Sequence, residues 1–421
     1  DTVFTDGIPD ILHEAKVGAD FILKLYNASK ADGLIEQGEM YHSVGVADAD
    51  HSYWDLPERQ DAQTPAKGGP DRDVTTGIGA GTAGIFVAAL ANVAVGYQVY
   101  DPAYSDSLLD AAKDIYKNVM MPAWKERRKT TGNYYNQFYT GGDAGNMNDD
   151  GAAAAFSLWY ATKDTTYQYD LYKNTAIYNN ATNYFYNMDY FRAGFLGNNS
   201  GFNPGGWATD YQNVHSYVLF ALQKMILSSE KVSEEYGLSP AERDTLSMRT
   251  MASFRKLIDN ATNEGDVLVL ENPAYEGEPH EGSSTLHVIS PYPLVWTSFD
   301  WGVMRYNMGT AVSIFLMYEL TGDSRYLNVA LDNMYFILGA NPWDISFLMG
   351  AGDKNPQHPH NRASNPDGYN AGGMPYKYRC PIGALMGARA PHLTLIEDWS
   401  KYTSTETCID FTAQFLFPAQ S

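Results

Sequence analysis

Three side chains near the C-terminal end have the types that bond-cleaving chemistry needs. Glu406 lies in Tyr402-Thr-Ser-Thr-Glu406-Thr-Cys-Ile-Asp-Phe-Thr-Ala413. Its carboxyl group can donate a proton if burial or a neighbouring like charge raises its pKa. The same residue can be the Glu of a capping box at the start of the helix read over about 406–417. His360 and Arg362 close the run Asn355-Pro-Gln-His-Pro-His360-Asn-Arg362. An Arg fork and an imidazole suit a ligand rich in hydroxyls. The competing reading is an ordinary polar loop stiffened by Pro356, Pro359 and Pro366. His358 and His360 are also close enough to suggest a metal, but a pair at this spacing with no clustered partner is poor evidence for zinc.

Further residues could complete a polar, aromatic groove. Trp54, Trp207, Trp301 and Tyr306 combine an apolar face with a polar edge. A lone Trp is nonetheless more often a core residue than a cleft residue. His51 and Arg305 would add hydrogen bonds. Asp149 and Asp150 open an Ala-rich helix, where a cap and a favourable interaction with the helix dipole explain them without a ligand.

The elements that must hold these residues are mostly helices. In residues 8–26, Ile8, Leu12, Ala15, Ala19, Ile22 and Tyr26 recur at helical spacing. Residues 76–99 are rich in Gly and Ala, which permits close helix packing. Further helices are read over 105–120, 149–162, 213–229, 239–260, 307–321 and 324–338. Strand signals are few and short, as at 266–270. Long Gly-, Asn-, Asp- and Tyr-rich loops separate the helices, and loops gathered on a rigid scaffold are where binding residues collect.

Composition narrows the function. With 44% hydrophobic residues among 421, the chain can bury a sizeable core. A net charge of −21 opposes a nucleic-acid partner, whose phosphates need a basic surface. No run is read as the roughly 18 apolar residues that a membrane span requires. A mature or trimmed chain starting at Asp1 is expected from the lack of a leader pattern. Cys380 and Cys408 could pair in an oxidising compartment or remain free thiols.

The motifs together resemble glycoside hydrolase family 9, the inverting cellulases and related β-glucanases. The resemblance rests on Ser346-Phe-Leu-Met-Gly-Ala-Gly-Asp through Arg362 and on the Glu406 segment. It extends to Gly7-Ile-Pro-Asp-Ile-Leu-His-Glu-Ala-Lys16, Met40-Tyr-His-Ser-Val-Gly45, Asp50-His-Ser-Tyr-Trp54 and Phe299-Asp-Trp301-Gly-Val-Met-Arg305-Tyr306. Thr321-Gly-Asp-Ser-Arg-Tyr326 and Ile337-Leu-Gly-Ala-Asn-Pro342 follow in the family's order. The chain departs from the pattern at Asn361, Glu397 and Thr412, where the family usually has His, Asp and Asn.

The resemblance implies an all-α, (α/α)6 barrel over 1–421 as a single catalytic domain, incomplete at its N-terminus. It implies hydrolysis of β-1,4-glucan with Glu406 as the acid. His51, Trp54, Trp207, Trp301, Arg305, Tyr306, His360 and Arg362 would contact substrate in an extracellular or cell-surface protein. No cofactor is required. A structural calcium at Asp149, Asp150 and the distant Asp210 is the one metal expectation. An inverting reaction also needs a base about 6.5–9.5 Å from the acid. The family carries it in a Tyr-Asp-Ala-Gly-Asp motif, which does not occur near this N-terminus. Asp143-Ala-Gly145 stands in the wrong place. The base is therefore expected on a missing or separate N-terminal segment. The alternative is a catalytically inactive glycan-binding or structural protein on the same barrel.

Overall fold

This is a computed structural model. It describes residues 5–132 apart from 71 and 127, 147–167 apart from 165, and 214–255 apart from 236, 237, 242, 245, 246, 249, 252 and 253. It also describes 287–289, 294–296, 302–364 apart from 342, 381–388 and 398–419. The 266–270 strand, Trp207, Asp210, Trp301, Cys380 and half of the helix read over 239–260 lie outside these residues. The chain divides into two compact units, each built from separated stretches.

The first unit comprises Asp1–Asp50, Asp71–Gly197 and Glu230–Pro240. Its described helices include α1 (Asp10–Ala31), α2 (Ala80–Tyr97), α3 (Pro102–Ile115) and α4 (Met147–Thr162). Small residues let α2 approach its neighbours. A Cβ on Gly84 would stand 2.9 Å from the Asp150 carbonyl of α4, and one on Gly96 would stand 2.6 Å from Leu12 of α1. Buried Tyr97 completes the α1–α2 contact by donating to the Leu12 carbonyl at 3.1 Å. At the start of α3 the Asp101 side chain accepts from the Tyr104 N–H, and Pro102 follows it, a favourable N-terminus. The last turn read into this helix is instead a π turn, Tyr116–Met120. β1 (Ser43–Val44) and β2 (Val74–Thr75) pair antiparallel.

One expectation about α2 needs correction. Its 18 residues are long and apolar enough to cross a membrane by length and composition. Ala, Gly and Val around the whole circumference produce that signal. Its buried residues include Val87, Leu90, Ala91 and Ala94, and it packs on α1, α3 and α4.

The second unit comprises His51–Pro70, Asn198–Ser229 and Ala241–Ser421. It contains α5 (His215–Ala221), α6 (Val303–Thr321), α7 (Ser324–Ile337), α8 (Ile409–Ala419) and the antiparallel pair β3 (His287–Ile289) and β4 (Leu294–Trp296). The helix read over 213–229 changes to π geometry at Leu222–Leu227. α6 is the central helix: Met304, Met308, Ala311, Val312 and Leu316 are all buried. It starts and ends at glycines of positive φ, Gly302 at 66° and Gly322 at 69°, where other residues would be strained. Asp323 caps α7 by accepting from the Arg325 N–H at 3.0 Å.

The second unit's core extends from α6 and α7 into the loops that hold the motifs. Phe336 stacks on Phe347 at 6.2 Å, and Trp343 meets Phe347 edge-on at 6.0 Å. Buried Asn341 ties the intervening turn by donating to the Phe336 and Ile345 carbonyls, each at 2.7 Å, and accepting from the Trp343 N–H. This explains the sequence Leu-Gly-Ala-Asn: an apolar helix end, Gly339 at φ 122°, and an amide that closes the loop.

Candidate active site

The site is assembled by short backbone bridges between loops. Phe347–Met349 lies beside 384–386, with Met349 N–H donating to the Ala384 carbonyl and Met386 N–H to the Phe347 carbonyl. The next strip is the Glu406 segment. Gly387 N–H donates to the Glu406 carbonyl at 3.0 Å and Ala388 N–H to Ser404 at 2.9 Å. On the other side, His360 pairs with Glu406 in a parallel bridge, and the His360 N–H donates to the Thr405 carbonyl at 2.9 Å.

Small residues make this approach possible. A Cβ on Gly387 would lie 2.8 Å from the Phe411 ring of α8 and 3.0 Å from Gly302 at the start of α6. Thr412, where the family usually has Asn, accepts from the Leu385 N–H at 3.1 Å. The hydroxyl thus fastens α8 to the same strip.

Glu406 does not open the last helix, contrary to the helix read over 406–417. A short helical turn, Tyr402–Thr405, ends at Glu406, whose backbone is extended at φ −66° and ψ 144°. α8 begins only at Ile409. The capping-box explanation is therefore overturned: a residue pairing in an extended bridge before the helix is not at its N3 position. The turn before it is held by Asp398. Its carboxylate accepts from the Ser400 N–H and hydroxyl, and its carbonyl accepts from Lys401 N–H and the Thr405 hydroxyl. The two Ser400 bonds hold the Asp398 carboxyl below its ordinary pKa, against the opposing effect of burial.

His360 is packed among aromatic rings. Its ring centroid is 4.5 Å from Trp54 and 5.9 Å from Tyr402, and Trp54 lies 6.0 Å from Trp399. His360 Nδ1 bonds the Trp399 carbonyl at 2.7 Å. A carbonyl can only accept, so Nδ1 carries the proton and the neutral ring offers Nε2 as an acceptor. Burial lowers the His360 pKa, the Trp399 carbonyl opposes that shift, and the Arg362 charge adds to it.

Arg362 lies over Trp54, with its guanidinium carbon 5.5 Å from the ring centre. Its Nη1 donates to the Gln60 side chain at 2.9 Å. Trp54 and Gln60 belong to the compact 52–67 loop, in which the Ser52 hydroxyl donates to the Ala66 carbonyl and Gln60 Nε2 to the Lys67 carbonyl. Gln60 and Trp399 were not singled out from the sequence. Gln60 had no signal beyond a polar neighbourhood, whereas Trp399 stood close to the Glu406 motif.

The other site residues have distinct placements. Arg305, 5% exposed, turns from the first turn of α6 to Asp410 of α8 at 3.0 Å and lies over the Phe411 ring at 5.4 Å. Its fork thus has a fixed carboxylate partner. Cys408, two residues before Asp410 in the chain, is a free and partly buried thiol. Burial first, then the charges of Glu406 and Asp410, push its pKa up to about 12, against the opposing effect of Arg305. Tyr306 falls within α6. His51 is exposed at the end of a short helical turn, Ala47–His51.

Asp149 and Asp150 are buried in the first turn of α4. Two carboxylates supply only part of the six to eight oxygens calcium takes. Among the described residues no group of three or more His, Cys, Asp or Glu could hold a metal. The third expected ligand, Asp210, lies outside them.

Comparison with known proteins places this arrangement. The model of glycosyl hydrolase family 9 matches residues 3–419. Endoglucanase A of Bacillus pumilus is 24% identical over 415 residues, covering 97% of this chain and 52% of that protein. Endoglucanase 4 of Bacillus sp. (strain KSM-522) is 23% identical over 415 residues, covering 97% and 54%. The chain thus spans about half the length of these curated relatives. Among solved structures, the catalytic domain of Clostridium thermocellum CelT superposes with a TM-score of 0.64 at 20% identity, covering 90% of this chain and 67% of that one. Endoglucanase CelQ of Clostridium thermocellum, complexed with cellotetraose, gives 0.63 at 19% identity, covering 90% and 53%. These likenesses establish the fold, the mostly helical (α/α)6 barrel of such cellulases.

Proposed function

This chain belongs to glycosyl hydrolase family 9, and from that premise we propose that it acts as one catalytic domain cleaving β-1,4-glucan with inversion. Glu406 donates a proton to the leaving oxygen. A carboxylate on the opposite face of the sugar activates water. The Tyr-Asp-Ala-Gly-Asp motif is not among the 421 residues, so the proposal assigns the base to a segment outside them. Arg362 and His360 bind sugar hydroxyls, with Trp54 beside them as an apolar platform. Trp207, Trp301, Tyr306, His51 and Arg305 remain proposed substrate contacts, and an extracellular or cell-surface location suits a polymeric substrate.

The observation that supports this reading is the His360–Glu406 backbone bridge. It sets the proposed acid beside the Arg362–Trp54 cluster without help from the side chains. Proton donation lowers the barrier only in the transition state, whereas the aromatic and Arg contacts also act in the ground state.

The test is the anomer released from a soluble β-1,4-glucan, followed by proton NMR. Initial release of the α-anomer supports inversion, and initial release of the β-anomer refutes it. On carboxymethylcellulose the 421-residue chain alone is expected to be about 10²–10⁴-fold slower than a form carrying a base-bearing segment. Equal rates would place the base within these residues. Tight binding of cellotetraose with no turnover in either form would favour the glycan-binding alternative.

A further inference from the structure

We propose that Gln60 is a positioning residue that fixes the Arg362 guanidinium for substrate. The inference deepens the glucan reading and rests on it. Gln60 is 4% exposed. Two of its side-chain bonds fix the orientation of the amide. Nε2 faces the Lys67 carbonyl at 3.1 Å, which can only accept. Oε1 therefore faces Arg362 Nη1 at 2.9 Å, which can only donate.

The amide thus links the 52–67 loop to one arm of the Arg362 fork. The same loop supplies Trp54, over which the guanidinium lies. One contact sets the height of the cation over the ring and the other sets its rotation. An Arg held at two points loses less freedom when it binds a ligand.

Nothing in the short-range sequence shows this relationship, because 302 positions separate Gln60 and Arg362.

The experiment compares Gln60→Leu, Gln60→Glu, Arg362→Lys and the Gln60→Leu/Arg362→Lys double variant. Cellotetraose binding is measured by calorimetry, and rotation of the Arg362 Nη groups by NMR of arginine-labelled protein. Thermal melting checks that each variant is folded. Gln60→Leu should weaken binding about tenfold and speed Nη rotation with little change in melting. Gln60→Glu, which keeps an acceptor, should retain slow rotation and most of the affinity. In the Arg362→Lys background, Gln60→Leu should add less than about twofold.

Unchanged rotation and affinity in Gln60→Leu, with weakened binding in Arg362→Lys, would overturn the positioning role and leave the glucan reading intact. Unchanged cellotetraose affinity in Arg362→Lys would overturn the Arg362 part of the glucan reading, and the positioning role with it. Should Gln60→Leu fail to fold, Gln60→Glu decides: rotation as fast as in a free guanidinium refutes the acceptor contact.

Discussion

The His360 N–H donates to the Thr405 carbonyl, and His360 pairs with Glu406 in a parallel bridge. Two motifs that are separate in the chain are thereby one backbone construction. The proposed acid needs no side-chain bond to His360 to be placed beside it. A backbone bridge is also less sensitive to side-chain substitution than a contact between two long side chains would be.

Glu406→Gln should reduce turnover on a natural glucan by about 10²–10⁴-fold while leaving cellotetraose affinity nearly unchanged. Gln preserves shape and a donor but cannot transfer a proton to the leaving oxygen. The loss should appear in kcat. Steady-state kinetics beside calorimetry checks it, and unchanged turnover would remove Glu406 as the acid.

Acidification should unsettle the His360 cluster. Burial holds the folded pKa of His360 below its ordinary value. The unfolded chain therefore takes up this proton first as pH falls. The stabilising contribution is fully present above about 6.5 and is lost as pH falls through the lowered folded value. His360→Gln should flatten that part of the stability–pH curve, measured by urea unfolding. An identical slope in the variant would contradict the assignment.

Arg305→Met should destabilise the protein toward the lower end of about 3–5 kcal/mol. It leaves Asp410 without its buried cationic partner, although Asp410 keeps 25% of its side chain exposed. Adding Asp410→Leu should recover part of the loss, because an apolar pair leaves no uncompensated charge. Denaturant midpoints of the single and double variants decide it. A double variant no better than Arg305→Met would mean that stacking on Phe411 dominates.

Two glycines should respond in opposite directions. Gly84→Val forces a side chain against the Asp150 backbone, 2.9 Å from its Cβ position, and should cost about 1–3 kcal/mol. Gly18, inside α1, has nothing within 4 Å of a Cβ position. Gly18→Ala should stabilise by about 0.5–1 kcal/mol through helix propensity. Both are read from urea unfolding. Equal effects would contradict the close α2–α4 packing.

Calcium held at Asp149 and Asp150 would make EDTA lower the melting temperature and added calcium restore it, because a ligand bound only to the folded state stabilises it. Asp150→Asn should reduce that difference. A melting curve unmoved by chelation would leave Asp149 and Asp150 as first-turn acids of α4.

Sequence by itself determined the elements whose signal is local. The spacing of Leu12, Ala19 and Ile22 marks α1, and the small residues of 76–99 mark a closely packed helix. Asp-Ser at the start of α7 gives a cap, and Leu-Gly-Ala-Asn gives a helix end. Ordered motifs also identified the family. Tertiary structure alone decided the backbone of Glu406: a helix signal from Ile409 onward ran back over it, while pairing with Gly387 and His360 draws it into an extended bridge. It likewise turned Arg305 toward Asp410 and put Gln60 against Arg362. Helical periodicity comes from near neighbours in the chain. Such partnerships depend on which distant donor meets which acceptor once the loops are packed, and no short-range pattern records them.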